Sequence, residues 1–176
     1  QHTNLIIVEY TRQIYCYFVE YTRQGTFIMN HEIIKKVIFD QHNVIKDTTI
    51  VDRDIVIERD VNYVLVGLRR AGKTTLLYKR VQDLIKEGVE WEQIIYINFD
   101  DERLLGFCVE DFDDILLVAE ELSNKKHFFY FDEIQNIDGW EKFAIRLSNQ
   151  GYKVDITGSN AKMLSKEVEA KLGGRY

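Results

Sequence analysis

Residues 63–75 read Tyr63-Val64-Leu65-Val66-Gly67-Leu68-Arg69-Arg70-Ala71-Gly72-Lys73-Thr74-Thr75, and this stretch decides the fold. Its first four residues are a short, continuous apolar run, the pattern of a strand buried on both faces. Beyond it, over residues 73–87, Leu77, Val81, Leu84 and Ile85 fall on one side of a helix, and Gly88 stops it. Between strand and helix lies the pattern G-x-x-x-x-G-K-T. Its glycines let a loop wrap tightly around a phosphate, so that successive backbone N–H groups and the helix N-terminus face the anion. Lys73 can reach the β- and γ-phosphates of a nucleotide, and the Thr74 hydroxyl can ligate Mg²⁺. The expected nucleotide-binding residues are therefore Gly67, Leu68, Arg69, Arg70, Ala71, Gly72, Lys73, Thr74 and Thr75. A glycine-containing strand-to-helix turn without a ligand is the plain alternative, and the flanking strand and helix argue against it. Arg69 and Arg70 could touch phosphate or a neighbouring subunit, but such loop arginines more often face solvent.

Outward from this loop the pattern keeps alternating. Residues 94–99 read as a second strand, and Phe112, Ile115, Leu116, Ala119 and Leu122 form a helical stripe. Residues 128–131 are a third strand, Trp140, Phe143, Ala144 and Leu147 another helix, residues 153–157 a fourth strand and residues 161–171 a last helix. Alternating β and α predicts an α/β fold, a parallel sheet with helices on both faces. Before the first strand, Ile33, Ile34, Val37 and Ile38 share a helical face.

The third strand ends Phe131-Asp132-Glu133, 59 residues after Lys73 for its aspartate. A hydrophobic strand ending in an acid is the Walker B arrangement: Asp132 would hold Mg²⁺ through its water shell, and Glu133 would orient and deprotonate the attacking water. In isolation a strand running into a polar loop explains these residues as well; the spacing from Lys73 is what gives them meaning. At the end of the fourth strand stands Thr157-Gly158-Ser159-Asn160. In this class of P-loop protein that strand lies between the other two motif strands, so Ser159 or Asn160 could sense the γ-phosphate. Capping of the following helix is the competing reading. Asp100, Asp101 and Glu102 are expected to cap the next segment rather than bind metal, because their strand falls at the sheet edge. His127 precedes its strand at the end away from the chemistry.

The loop at 67–75, Tyr96-Ile97-Asn98-Phe99-Asp100-Asp101-Glu102-Arg103-Leu104, Phe131-Asp132-Glu133-Ile134-Gln135-Asn136-Ile137, Gly139-Trp140-Glu141-Lys142-Phe143, Ile156-Thr157-Gly158-Ser159-Asn160 and Leu172-Gly173-Gly174-Arg175-Tyr176 together resemble one family. It is the bacterial and archaeal AAA-type P-loop ATPase family whose members usually carry a nuclease-like C-terminal domain of unknown role. The resemblance covers about residues 30–176. It implies a three-layer α-β-α P-loop NTPase of the additional-strand class, sheet order 5-1-4-3-2, with the fifth strand and the C-terminal domain beyond this chain. It implies that Lys73, Thr74, Asp132 and Glu133 are the nucleotide and hydrolysis residues and that ATP and Mg²⁺ are the cofactors. Arg175 resembles the arginine finger of AAA proteins, which would imply a homo-oligomer; offsetting a helix dipole and sensing the nucleotide in cis are its alternatives. The expected output is conformational change in an attached or partner domain. A DNA helicase-like motor, suggested by Asp132-Glu133-Ile134-Gln135, and an ATP-binding switch without turnover are the rivals.

Composition bounds these readings. With 176 residues, 45% hydrophobic and 30% charged, the chain can bury one core. The net charge of −6 is uneven: residues 101–140 carry three Lys/Arg against eleven Asp/Glu, and residues 141–176 carry seven against four. No broad basic surface supports a nucleic-acid partner. Cys16 and Cys108 stand far apart, which suggests neither zinc nor a disulfide framework and fits a reducing, cytoplasmic setting. No uncharged apolar run approaches the ~20 residues of a membrane span. Residues 1–28 differ from the rest, because Val8-Glu9-Tyr10-Thr11-Arg12-Gln13 recurs as Val19-Glu20-Tyr21-Thr22-Arg23-Gln24. They read either as an upstream extension before a natural start at Met29 or as a β-rich hairpin; residues 29–60 form a helix and lead-in, and residues 61–176 the ATPase core. On the first reading, a chain starting at Met29 melts within a degree or two of the chain given, measured by circular dichroism; a fall of several degrees indicates the hairpin instead.

Overall fold

The computed structural model describes residues 31–50 and 61–159. The segments at 1–28 and 161–171, Asn160 and Arg175 therefore lie outside the described residues. Helix α1 spans His31–Asp47. It is followed by β1 (Val64–Val66), α2 (Lys73–Lys86), β2 (Ile94–Asn98), α3 (Phe112–Leu122), β3 (Phe128–Asp132), α4 (Trp140–Asn149) and β4 (Lys153–Gly158). Among the described residues the strands form one sheet in the order β1-β4-β3-β2, every pairing parallel. This matches the expected 1-4-3-2 run of a P-loop α/β fold.

Strand alternation makes two different faces. Ile95, Ile97, Phe129, Phe131, Val154 and Ile156 point to one side and join the buried apolar residues of α3 and α4. Phe112 stacks on Phe143 between those helices, ring centroids 4.4 Å apart. Ile94, Tyr96 and Tyr130 point to the other side, against Leu77, Val81 and Leu84 of α2. On β4 this second face carries Lys153, Asp155 and Thr157, all buried. On the strands themselves one face is thus apolar, while the face under α2 holds the polar side chains.

Both α2 and α4 end in the same way. Gly88 and Gly151 adopt φ of +97° and +81°. The N–H of Gly88 reaches Ile85 O and that of Val89 reaches Leu84 O, while Gly151 and Tyr152 reach Ser148 O and Leu147 O. These paired bonds are Schellman stops, which need a left-handed residue that glycine adopts without strain.

Strand β1 packs on both faces as its composition suggests, Val64 and Val66 on the apolar layer and Leu65 on the α2 layer, but each residue is only half-buried. It stands at the end of the described sheet, paired with β4. At the opposite end β2 is an edge strand, and α1 covers it. Ile34, Val37 and Ile38 of α1 enter the apolar layer, whereas Ile45 enters the α2 layer. Buried His42 donates from Nε2 to the outward carbonyl of Ile94 at 2.8 Å. Lys35 pairs with Glu121 of α3 at 2.7 Å, and Arg103 with Asp40 at 2.6 Å. Solvent screens such exposed pairs, so buried side chains dominate the docking of α1.

Burial holds the His42 imidazole below its ordinary value, with Lys46 adding to the effect and the Ile94 carbonyl and Glu92 opposing it. Its unfolded-state value lies near 6.5. Stability from neutral His42 is therefore present above about pH 6.5 and lost as pH falls through the folded value. Wild type should lose melting temperature between pH 7.5 and 5.5, and His42→Gln should lose less over the same interval, as measured by thermal melts at matched ionic strength.

Candidate active site

The loop leaves β1 at Gly67, whose N–H still bonds Gly158 O at 3.4 Å, and turns where Ala71 N–H meets Leu68 O at 3.2 Å. Arg70 and Gly72 have φ of +64° and +86°. Glycine takes this conformation freely and arginine does so at a cost, so the curl of the loop is held partly against local preference. Leu68, Arg69, Arg70 and Ala71 are exposed, and Thr75 is exposed on the first turn of α2. Gly72 caps α2 without a side-chain hydrogen bond, and the first turn has no acidic residue. The helix start is thus a positive dipole end whose own first turn carries no opposing charge. Lys73 curls back over the loop, its Nζ donating to Gly67 O at 2.9 Å and Leu68 O at 3.0 Å.

The third strand ends beside this lysine. Lys73 Nζ lies 3.8 Å from Glu133 Oε1, and both side chains are mostly shielded from solvent. Asp132 is 1% exposed. Its Oδ1 accepts the hydroxyl of Thr157, and its Oδ2 accepts that of Tyr96 at 3.1 Å. Burial, with Asp132 next in effect, pushes the Tyr96 phenol well above its ordinary value, so it remains a donor. Thr157 Oγ1 also accepts the N–H of Glu133 at 3.0 Å. Two hydroxyls thus hold Asp132, and among the described residues no cation pairs with it. A buried carboxylate without a paired charge is costly. This carboxylate, with the half-buried Thr74 on the first turn of α2, has the oxygen chemistry of a hydrated divalent cation site.

Glu133 has φ 51° and ψ 43°, a left-handed residue that turns the chain sharply out of β3 into a 3₁₀ turn over Ile134–Asn136. Its Oε2 accepts Gln135 Nε2 at 2.6 Å, and the same amide reaches Ser159 Oγ at 3.2 Å.

A family of AAA domains matches residues 60–176. The chain belongs to this AAA domain family. An uncharacterized protein of Methanocaldococcus jannaschii is 36% identical over 159 residues, 89% of this chain and 35% of the relative. An uncharacterized protein of Haemophilus influenzae is 37% identical over 124 residues, 68% of this chain and 30% of the relative. The chain therefore spans about a third of the length of these curated relatives. Membership implies nucleotide binding of the ATPase type. No described helix is long and apolar enough to cross a membrane.

The structure of this AAA domain brings Lys73, Asp132, Glu133 and Ser159 to one end of the sheet. Asp101 and Arg103 turn to each other at 2.7 Å, and Asp101 accepts the N–H of Arg103, the capping role expected of that loop. His127 is buried at the far end of β3. Thr157, Tyr96 and Gln135 carry contacts that motif reading did not assign. Thr157 stood inside a noted motif, but its role depends on β3–β4 register, which pairs Phe131 with Ile156 and so sets Asp132 beside Thr157.

Thr157→Val keeps the shape and removes both hydroxyl contacts, leaving the Glu133 N–H and one side of Asp132 unsatisfied. Urea unfolding should show a loss of about 2–3 kcal/mol.

Proposed function

We propose that the domain binds Mg-ATP at residues 67–75 and hydrolyses it with Glu133 as general base. The observation that carries this reading is the approach of Lys73 Nζ to Glu133 Oε1, 3.8 Å, beside the hydroxyl-held Asp132. A cation, a helix N-terminus and a base then converge on the place where negative charge develops during phosphoryl transfer. Lys73 would move from its two loop carbonyls to the β- and γ-phosphate oxygens. Thr74 and Asp132 would hold Mg²⁺, which supplies charge neutralisation when bound. Glu133 would take the proton of the attacking water. Ser159 and Asn160 follow as sensors of the γ-phosphate, and Arg175 as the residue reaching a neighbouring copy in a homo-oligomer.

The same reading assigns residues 61–176 to the ATPase core and residues 29–60 to its lead-in, in a cytoplasmic protein. The greater length of the relatives supports an attached domain, nuclease-like by family resemblance, as the recipient of conformational change.

Lys73→Ala should abolish most affinity for a fluorescent ATP analogue. Glu133→Gln should retain that affinity while turnover falls by ~10²-fold or more. Equal affinity in wild type and Lys73→Ala removes the loop assignment; unchanged turnover in Glu133→Gln removes the base and leaves a structural role. Binding by wild type with no turnover at all supports a switch instead.

A further inference from the structure

We propose that Gln135 is a positioning residue that holds the Glu133 carboxylate and ties it to Ser159 at the tip of β4; this rests on the reading of Glu133 as the base. A carboxylate only accepts hydrogen bonds, so the side of Gln135 facing Glu133 must be its NH₂ group. One amide proton reaches Glu133 Oε2 at 2.6 Å, a short charge-assisted bond. Ser159 Oγ, 3.2 Å from the same nitrogen, is the second acceptor. The amide therefore bridges the end of β3 and the end of β4, the strand tips that flank the loop.

Three further observations separate this bridge from ordinary surface polarity. Glu133 occupies a left-handed conformation that a non-glycine residue holds only when its surroundings impose it. Its N–H is fixed by Thr157 at 3.0 Å, so both the backbone and the carboxylate of the base depend on groups that touch β4. Gln135 Oε1 is buried and has no hydrogen-bond partner among the described residues. Both protons of the amide are thus committed to Glu133 and Ser159, whatever Oε1 meets. With the NH₂ group engaged by Glu133 and Ser159, Oε1 has no freedom to exchange places with it.

In this arrangement a displacement of Ser159 is transmitted through one amide to the base. Gln135 touches neither the loop nor Lys73 in any described hydrogen bond, so its loss acts on turnover and spares nucleotide affinity.

The test uses the full chain with single-turnover ATP hydrolysis and titration of a fluorescent ATP analogue. Gln135→Ala and the isosteric Gln135→Glu should each lower the turnover rate by ~10-fold or more, with affinity within about twofold of wild type. Gln135→Glu, which puts a second carboxylate where the donor stood, covers the case in which the alanine variant does not fold. Adding Gln135→Ala to Glu133→Gln should cause no further loss, and Ser159→Ala should slow the wild type but not Gln135→Ala, because residues in one chain of contacts are non-additive. Wild-type turnover in both Gln135 variants, weakened affinity with unchanged turnover, or additive losses overturn the proposal. A wild-type chain that binds but does not hydrolyse ATP removes the base reading and not the bridge. The bridge is then read from the ¹⁵N side-chain amide resonance of Gln135, which should shift in both Glu133→Ala and Ser159→Ala; a resonance indifferent to both overturns it.

Discussion

The buried pair between Arg80 and Asp155 fixes the geometry on which the site depends. Asp155 sits at 0% exposure in the middle of β4, and Arg80 Nε on α2 donates to its Oδ2 at 2.6 Å. Its Oδ1 accepts the N–H of Tyr63 at 2.8 Å, just before β1, and Lys153 Nζ approaches at 3.5 Å. Burial pushes the Asp155 carboxyl up, against the pull of Arg80 and Lys153. One carboxylate therefore binds a helix, a strand start and its own strand. Breaking such a pair by removing one partner strands a charge in the interior, at a cost of about 3–5 kcal/mol. Arg80 lies two helical turns below Lys73, so the pair also fixes where the start of α2 stands over the sheet.

Everything chemical lies on the face that α2 covers. Tyr96, Asp132, Asp155 and Thr157 share that side by strand alternation, while the other side packs phenylalanine and isoleucine against α3 and α4. The division has a physical use. The layer under α3 and α4 supplies most of the apolar burial, with polar groups only at its margins, such as Asp111 before α3 and His127 before β3, and it leaves the α2 layer able to hold carboxylates on hydroxyl donors. Glu133, at the exit of β3, is held from three directions: Thr157 at its backbone, Gln135 at one carboxylate oxygen and Lys73 toward the other.

The helical stripes were legible because burial follows period. Leu77, Val81 and Leu84 are buried as their spacing requires, and so are Trp140, Phe143, Ala144 and Leu147. The glycines after α2 and α4 sit in the left-handed conformation that ends a helix. The burial of β1 was less legible, because an apolar run does not say which neighbours its strand will have. The role of α1 was hidden in the same way: its face was evident, but not that Ile45 would enter a different layer from Ile34, Val37 and Ile38.

By itself the sequence determined the loop at 67–75, the strand ending in Asp132 and Glu133, and an alternating α/β chain; the order of its strands was an expectation from family resemblance. These are local patterns, set by backbone freedom at glycine, by side-chain period and by the chemistry of single residues. The partners of those residues were decided by the tertiary structure alone. Tyr96 reaches Asp132 across 36 positions of chain, Thr157 reaches it across 25, and Ser159 meets Gln135 across 24. Such meetings depend on strand register and crossover, and a register shift of one residue in β2, β3 or β4 would send Tyr96, Asp132 or Thr157 to the opposite face of the sheet.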